Sequence, residues 1–212
     1  MNTDETRALQ RILTSLGHSP GPVDGRWGSM TAKALAAADA ALEKVKPLSP
    51  DLPWMIEARS VFGLHETRDN ATLRLWLRSD GETLGDPAAL PWCGDYVDTC
   101  IRNALETEPY PSALKENPYW ARNWLFFGQA VPPTYGAVLV FSRNGGGHVG
   151  FAVGQDSTDF YVLGGNQGNG VNITRIAKDR LLGSRWPATA PHKHAALPRM
   201  TQAGIPKSVN EF

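Results

Sequence analysis

The stretch Gly136-Ala-Val-Leu-Val-Phe-Ser-Arg-Asn-Gly-Gly-Gly-His-Val-Gly-Phe-Ala-Val-Gly-Gln-Asp-Ser-Thr-Asp-Phe-Tyr-Val-Leu-Gly-Gly165 decides the fold. Gly136 to Phe141 reads as a strand, and residues 142–147 as a loop. His148 to Gly154 reads as a second strand, in which β-branched and aromatic residues alternate with small ones. After a turn, Phe160 to Gly165 is a third strand and Val171 to Ile176 a fourth. Connections this short imply an antiparallel meander.

The second hairpin permits a register test. If Gly154 faces Phe160, paired positions sum to 314 and His148 faces Asn166. Facing side chains have Cβ atoms about 5 Å apart, close enough for a His–Asn hydrogen bond. The same face would carry Gly150, Ala152, Val162 and Gly164. These are mostly small, so a helix could approach and bring a thiol to the imidazole. Val149, Phe151, Val153, Tyr161 and Leu163 would need a different cover. A slip of one residue would put His148 and Asn166 on opposite faces.

The helix is found upstream, in Pro91-Trp-Cys-Gly-Asp-Tyr-Val-Asp-Thr-Cys-Ile-Arg-Asn-Ala-Leu105. Cys93, Tyr96, Val97, Cys100, Ile101, Ala104 and Leu105 fall on one helical face, and Pro91 suits its start. Seven residues along a helix separate Cα atoms by about 10 Å, beyond the roughly 7 Å limit of a disulfide. Cys93 and Cys100 are therefore expected to be unpaired, and the chain needs no oxidising compartment. Cys100 reads as a small buried hydrophobe. Cys93 lies in the first turn, where free N–H groups and the helix dipole lower a thiol pKa. Asp95 and Asp98 read as partners of that dipole.

The chemistry follows from these residue types. His148 can take the Cys93 proton and later protonate a leaving amine. Asn166 can fix the imidazole's tautomer. N–H groups at the helix start can hold an oxyanion. The expected reaction is acyl transfer to sulfur, then hydrolysis.

At these residues the chain resembles the NlpC/P60 and CHAP groups of cell-wall cysteine peptidases and amidases. His148-Val-Gly-Phe-Ala-Val-Gly154 is similar to their histidine strand. Trp92-Cys93 and Gly164-Gly-Asn-Gln167 resemble a phage and prophage subgroup. The resemblance spans residues 52–187. It implies an α+β, papain-like domain with helices packed on an antiparallel sheet, and a catalytic Cys93-His148-Asn166 set with Trp92 at the substrate. Many members flank the nucleophile with Asp and Ser, where Trp92 and Gly94 stand here. An amidase and a cross-bridge endopeptidase therefore both stay open. Glu66, in Gly63-Leu-His-Glu66, stands where related enzymes often carry Gly-x-x-Glu, and reads as a helix cap or structural bridge.

Residues 1–45 form a separate expected unit. Leu9, Ile12, Leu13 and Leu16 make a helical stripe, a Gly/Pro-rich loop follows, and Ser29 suits the N-cap of a second helix with Leu35, Ala38, Leu42 and Val45 inward. Leu9-Gln10, Gly17, Asp24-Gly-Arg-Trp-Gly28, Thr31 and Ala34-Leu35 resemble the small three-helix peptidoglycan-binding module found beside wall hydrolases. That resemblance implies wall contacts from Asp24 and Trp27; alternatively Trp27 plugs a core and Asp24 makes a turn. Residues 46–53 read as a Pro-rich linker, 54–187 as the catalytic domain and 188–212 as an extended tail.

Composition sets the outer limits. The chain has 212 residues, 21 Lys+Arg against 21 Asp+Glu, 42% apolar residues and seven tryptophans. Balanced charge argues against a nucleic-acid partner held by phosphates. Apolar runs fall far short of the roughly 20 residues that cross a bilayer. The polar start, Met1-Asn-Thr-Asp-Glu-Thr-Arg7, lacks the form of a secretion signal. Gly145-Gly-Gly-His-Val-Gly150 matches G-x-G-x-x-G but opens a strand, so it is no dinucleotide site. His192 and His194 have no further ligands nearby, and neither metal nor cofactor is expected. The expectation is a monomeric peptidoglycan hydrolase made in the cytoplasm, such as an endolysin released by a holin. The alternatives are a non-catalytic wall-binding or phage structural protein, and a secreted toxin-like amidase.

Overall fold

The computed structural model describes residues 2–44, 52–191, 196–201 and 204–208. The chain divides into two units, Met1–Pro50 and Asp51–Phe212.

The first unit pairs helix α1 (Thr3–Ser15) with α2 (Ser29–Lys44). Asn2 and Glu5 cap α1 reciprocally: Glu5 N donates to Asn2 Oδ1 at 2.9 Å, and Asn2 N donates to Glu5 Oε2 at 2.8 Å. Leu13, Ala34 and Ala38 form the core, with Leu9 and Leu35 against it. Ile12 and Leu16, expected on the buried stripe, are exposed. Two helices, rather than the expected three, are present among the described residues of this unit. A polar knot accompanies this apolar core. Buried Gln10 donates from Nε2 to Asp24 Oδ1 (3.2 Å), Arg26 O (3.1 Å) and Thr31 Oγ1 (3.2 Å), and its Oε1 accepts from Gly25 N (2.9 Å). Gly25 has φ +78°, and a Cβ there would lie 2.6 Å from Thr3 O, so only glycine fits.

The expected linker lies almost wholly outside the described residues, and Pro53 opens α3 (Pro53–Ser60). Then follow α4 (Asn70–Leu77), α5 (Cys93–Ala104), α6 (Ser112–Glu116) and a 3-10 turn at Ala121–Phe126. The strands are β1 (Gln129–Ala130), β2 (Val138–Arg143), β3 (Gly146–Gln155), β4 (Asp159–Gly164), β5 (Asn172–Ala177) and β6 (Leu181–Trp186). They form one antiparallel sheet ordered β1-β6-β2-β3-β4-β5. The architecture is thus α+β, with helices on a six-stranded antiparallel sheet. The predicted meander is present. Its first turn shrinks to Asn144-Gly145, because Arg143 already pairs with Gly146.

Two details of the sheet differ from the sequence reading. Phe151 pairs with Leu163 and Ala152 with Val162, as the expected register requires, yet Gly154 pairs with Tyr161. A bulge at Val153 absorbs the extra residue. The faces are also used the other way round. Tyr96 of α5 packs on Phe151, ring centroids 6.2 Å apart, so the helix covers the large-residue face. On the small-residue side, Gly150 and Ala152 leave room for Phe141 and Phe160 to meet from the flanking strands at 6.3 Å. The C-terminal segment adds bridges Gln155–Arg199 and Arg175–Lys207, and Met200 and Pro198 close on Gly154. The expected extended tail is therefore packed on the sheet where it is described. His192 and His194 lie outside the described residues.

Trp54, Trp92, Trp124 and Trp186 are buried in the core of this unit. Each indole removes about 150–250 Å² from water, worth at most about 4–6 kcal/mol. The high tryptophan count is thus mainly structural; Trp27 and Trp120 are the exposed ones.

Candidate active site

Cys93 is the first residue of α5, and its thiol is nearly buried, 3% exposed. Helix start and strand meet there, close enough that the Val149 amide, with those of Cys93 and Gly94, favours the ionised sulfur. His148 precedes Val149 on β3 and is fully buried. Gly94 lets the start of α5 lie against the Pro118–Tyr119 backbone: a Cβ on it would lie 2.3 Å from Tyr119 O. Both cysteines are free.

The sequence argument lowered the thiol pKa through the helix start. In the folded protein burial is the larger effect and pushes the Cys93 thiol up; the Val149 amide, the Arg143 charge and the first-turn amides pull it partly back. The resting site therefore favours a neutral thiol.

The residue that meets the imidazole is Gln167, not Asn166. His148 Nε2 and Gln167 Oε1 are 3.1 Å apart. β4 ends at Gly164, so the ladder that would set Asn166 opposite His148 stops short. Asn166 instead takes φ +56° in the turn, and Gln167 folds its side chain back over Gly164. No Cβ intervenes at Gly164: one there would lie 3.1 Å from Gln167 Oε1 and 3.4 Å from His148 Nε2. The amide cannot turn over. Gln167 Nε2 faces carbonyl oxygens of Val162 (3.2 Å), Gly164 (3.3 Å) and Asn172 (2.7 Å). Its Oε1 must accept, so His148 Nε2 carries the hydrogen and Nδ1 is the basic nitrogen. The sequence signal was present, since Gln167 adjoins the residue chosen, but strand parity selected its neighbour.

Trp92, expected at the substrate, is 1% exposed and offers no face to a ligand. Its indole Nε1 donates to Glu66 Oε2 at 2.9 Å. Glu66 is thus a structural bridge, one of the two roles expected for it. Asp95 and Asp98, read from the sequence as dipole partners, are buried, and Asp95 stands in the first turn of α5. Asp95 accepts from Thr83 Oγ1 and Leu84 N, both at 3.0 Å, and burial raises it to about 7. Asp98 accepts from Arg102 Nε at 3.0 Å, and burial raises it to about 6.

In the first unit Asp24 makes a turn, accepting from Arg26 N at 2.8 Å and from Gln10. These bonds hold its carboxyl below the usual range. Trp27 is 48% exposed, so it does not plug the core. A hollow of about 340 Å³ along α4, lined by Asn70, Ala71, Arg74, Leu75 and Arg78, holds no nucleophile. Among the described residues no three His, Cys, Asp or Glu side chains are grouped to hold a metal ion, and no helix is long and apolar enough to cross a membrane.

Comparison with curated proteins finds no match. Residues 2–41 match the family model described as "Putative peptidoglycan binding domain"; the match lies within the first unit and suggests peptidoglycan as a partner.

Proposed function

We propose that the second unit is a cysteine hydrolase that cuts an amide bond of peptidoglycan, delivered to the wall by the first unit. The observation that carries this reading is a helix-start thiol approached by the Val149 amide, the next residue along β3 after a buried histidine that Gln167 Oε1 meets at 3.1 Å. His148 Nδ1 takes the thiol proton as sulfur attacks the carbonyl, because the burial that raises the thiol disfavours a free thiolate. The carbonyl oxygen becomes an oxyanion, stabilised by amides at the start of α5. The C–N bond then breaks, and the imidazolium gives its proton to the leaving amine. Water, deprotonated by the same nitrogen, hydrolyses the thioester and regenerates the thiol. The setting this implies is an endolysin.

Cys93→Ala tests the reading. Purified sacculi should be cleared by the wild-type protein and not by the variant, with mass spectrometry of released fragments showing a new amine or a new lactyl carboxylate. Equal clearing by both proteins overturns it. One observation favours a second, non-enzymatic wall-binding reading: the thiol is only 3% exposed. Sacculus binding with no released fragment from the wild type would establish that alternative.

A further inference from the structure

Of the buried carboxylates that the proposed mechanism does not use, Glu66 is the one bonded to the residue next to Cys93. Glu66 is 9% exposed and lies outside the sheet and the nucleophile helix. Its side chain holds the Trp92 indole. Its main chain holds the other half of the site: Glu66 N donates to Asn169 O at 2.8 Å, in the loop that carries Gln167. The flanking residues extend that seam, with Gly63 N to Val171 O at 2.8 Å, Val171 N to Leu64 O at 2.9 Å and a bridge from His65 to Gly170. Asn70 Nδ2 donates to Glu66 O at 2.7 Å and fixes the segment from behind.

Trp92 is where the two halves meet. It is the N-cap residue of α5, and no side chain caps that helix. Helix starts usually fix their position through a capping Ser, Thr, Asn or Asp; here the anchor is the indole. The far edge of that indole rests on Gly165, where a Cβ would lie 2.4 Å from Trp92 Cζ3 and 2.7 Å from Tyr96 Cβ. The indole thus sits between Glu66 and Gly165, one residue before Cys93 and two residues from Gln167.

We infer that Glu66 is a positioning residue for the proposed hydrolase: it clamps Trp92 so that the Cys93 thiol and the Gln167-held imidazole keep their mutual geometry. This rests on the reading of Cys93 and His148 as nucleophile and base. Glu66 itself touches neither sulfur nor substrate. The bond to Trp92 asks for an acceptor at Oε2, so glutamine, which presents an amide oxygen, should replace it and alanine should not.

The test compares Glu66→Ala, Glu66→Gln, Trp92→Phe and the Glu66→Ala/Trp92→Phe double variant in the full chain. The readouts are the pH profile of Cys93 alkylation, followed by mass spectrometry of the labelled peptide, and sacculus hydrolysis per alkylatable site. Glu66→Ala should shift the alkylation profile and lower kcat by about 10-fold or more with little change in KM, while Glu66→Gln restores most of both. In the Trp92→Phe background, which lacks the indole donor, Glu66→Ala should add little. A merely structural Glu66 would lower Tm and leave profile and kcat per folded molecule as in the wild type; that result, or additive effects of the two substitutions, overturns the inference. Alkylation needs no turnover, so the clamp is measurable even if Cys93→Ala shows that the protein does not hydrolyse the wall.

Discussion

His148 Nε2 lies 3.1 Å from Gln167 Oε1, with both side chains buried. The contact is directional. Carbonyls of Val162, Gly164 and Asn172 occupy the amide nitrogen, so only the oxygen is left for the ring. Removing it by Gln167→Ala leaves a buried ring N–H without its acceptor and lets the other tautomer compete. A hydrogen bond of this kind is worth about 1.5–3 kcal/mol once the ring is charged, which corresponds to about 10–100-fold in kcat. Asn166→Gly is the contrast. Asn166 stands at φ +56°, a conformation glycine adopts freely, so its rate should stay within about twofold of wild type. Sacculus-clearing rates of the two variants decide whether the glutamine or the asparagine orients the base.

This pair also shows how far the sequence carries. The helix from Cys93 and the four-strand meander were legible, because apolar spacing of 3.6 and of 2 is written directly in the chain. The strand bearing His148 was legible for the same reason. The partner of His148 was not, because parity assumes that a ladder continues and β4 stops at Gly164. The bulge at Val153 was hidden too, since one extra residue leaves the alternation of side chains around it looking regular. β6 escaped notice because Gly183 and Ser184 interrupt its apolar pattern; pairing with β2 supplies what propensity lacks. The cover of each face was misjudged on residue size. Small side chains in β3 admit Phe141 and Phe160 from neighbouring strands rather than a helix.

The carboxylates under α5 give a pH dependence. Asp95 accepts two hydrogen bonds on Oδ2, while its Oδ1 is buried with no hydrogen-bond partner. Burial raises it from 3.8 to about 7. The folded chain then binds a proton that the unfolded chain has released between those values. This contribution to stability is fully present below about pH 4 and is lost as pH rises through about 7. The shift limits the effect to about 4 kcal/mol, and neighbouring Asp80 and Asp98 share it. Asp95→Asn keeps an acceptor toward Thr83 and Leu84 and removes the titration. Urea midpoints from pH 4 to pH 8 should fall for the wild type and less steeply for the variant, the remaining slope coming from Asp98. Parallel curves would show that Asp95 stays ionised throughout.

Two glycines separate close approach from backbone conformation. Gly94→Ala forces a methyl to 2.3 Å from Tyr119 O, a main-chain atom that cannot swing away. Displacing the start of α5 should cost about 1–3 kcal/mol or more and shift the thiol with it. Gly145→Ala meets nothing within 4 Å, and its only penalty is φ +75°. That costs about 1 kcal/mol and leaves Cys93 reactivity unchanged. Denaturation midpoints give the first comparison and alkylation rates the second. Loss of reactivity in Gly145→Ala would mean that the β2–β3 turn controls the site.

In the first unit, folding and binding should come apart at Gln10 and Trp27. Gln10 is 1% exposed and joins α1 to the loop at three atoms and to α2 at a fourth, in a unit whose apolar core is three buried side chains among the described residues. Gln10→Ala leaves the Gly25 amide and the Thr31 hydroxyl without their central partner, at about 1–3 kcal/mol for the buried groups together with a cavity. A unit of some 40 residues has little stability to lose. Limited proteolysis of the full chain should therefore cut Gln10→Ala within residues 2–44 and spare the second unit. Trp27, at 48% exposure, carries none of that core. Trp27→Ala should keep the wild-type proteolysis pattern and bind sacculi more weakly in pull-down. If Trp27→Ala binds as tightly as wild type while Gln10→Ala does not, the wall is read by another surface of the folded unit, and the exposed indole has no part in it.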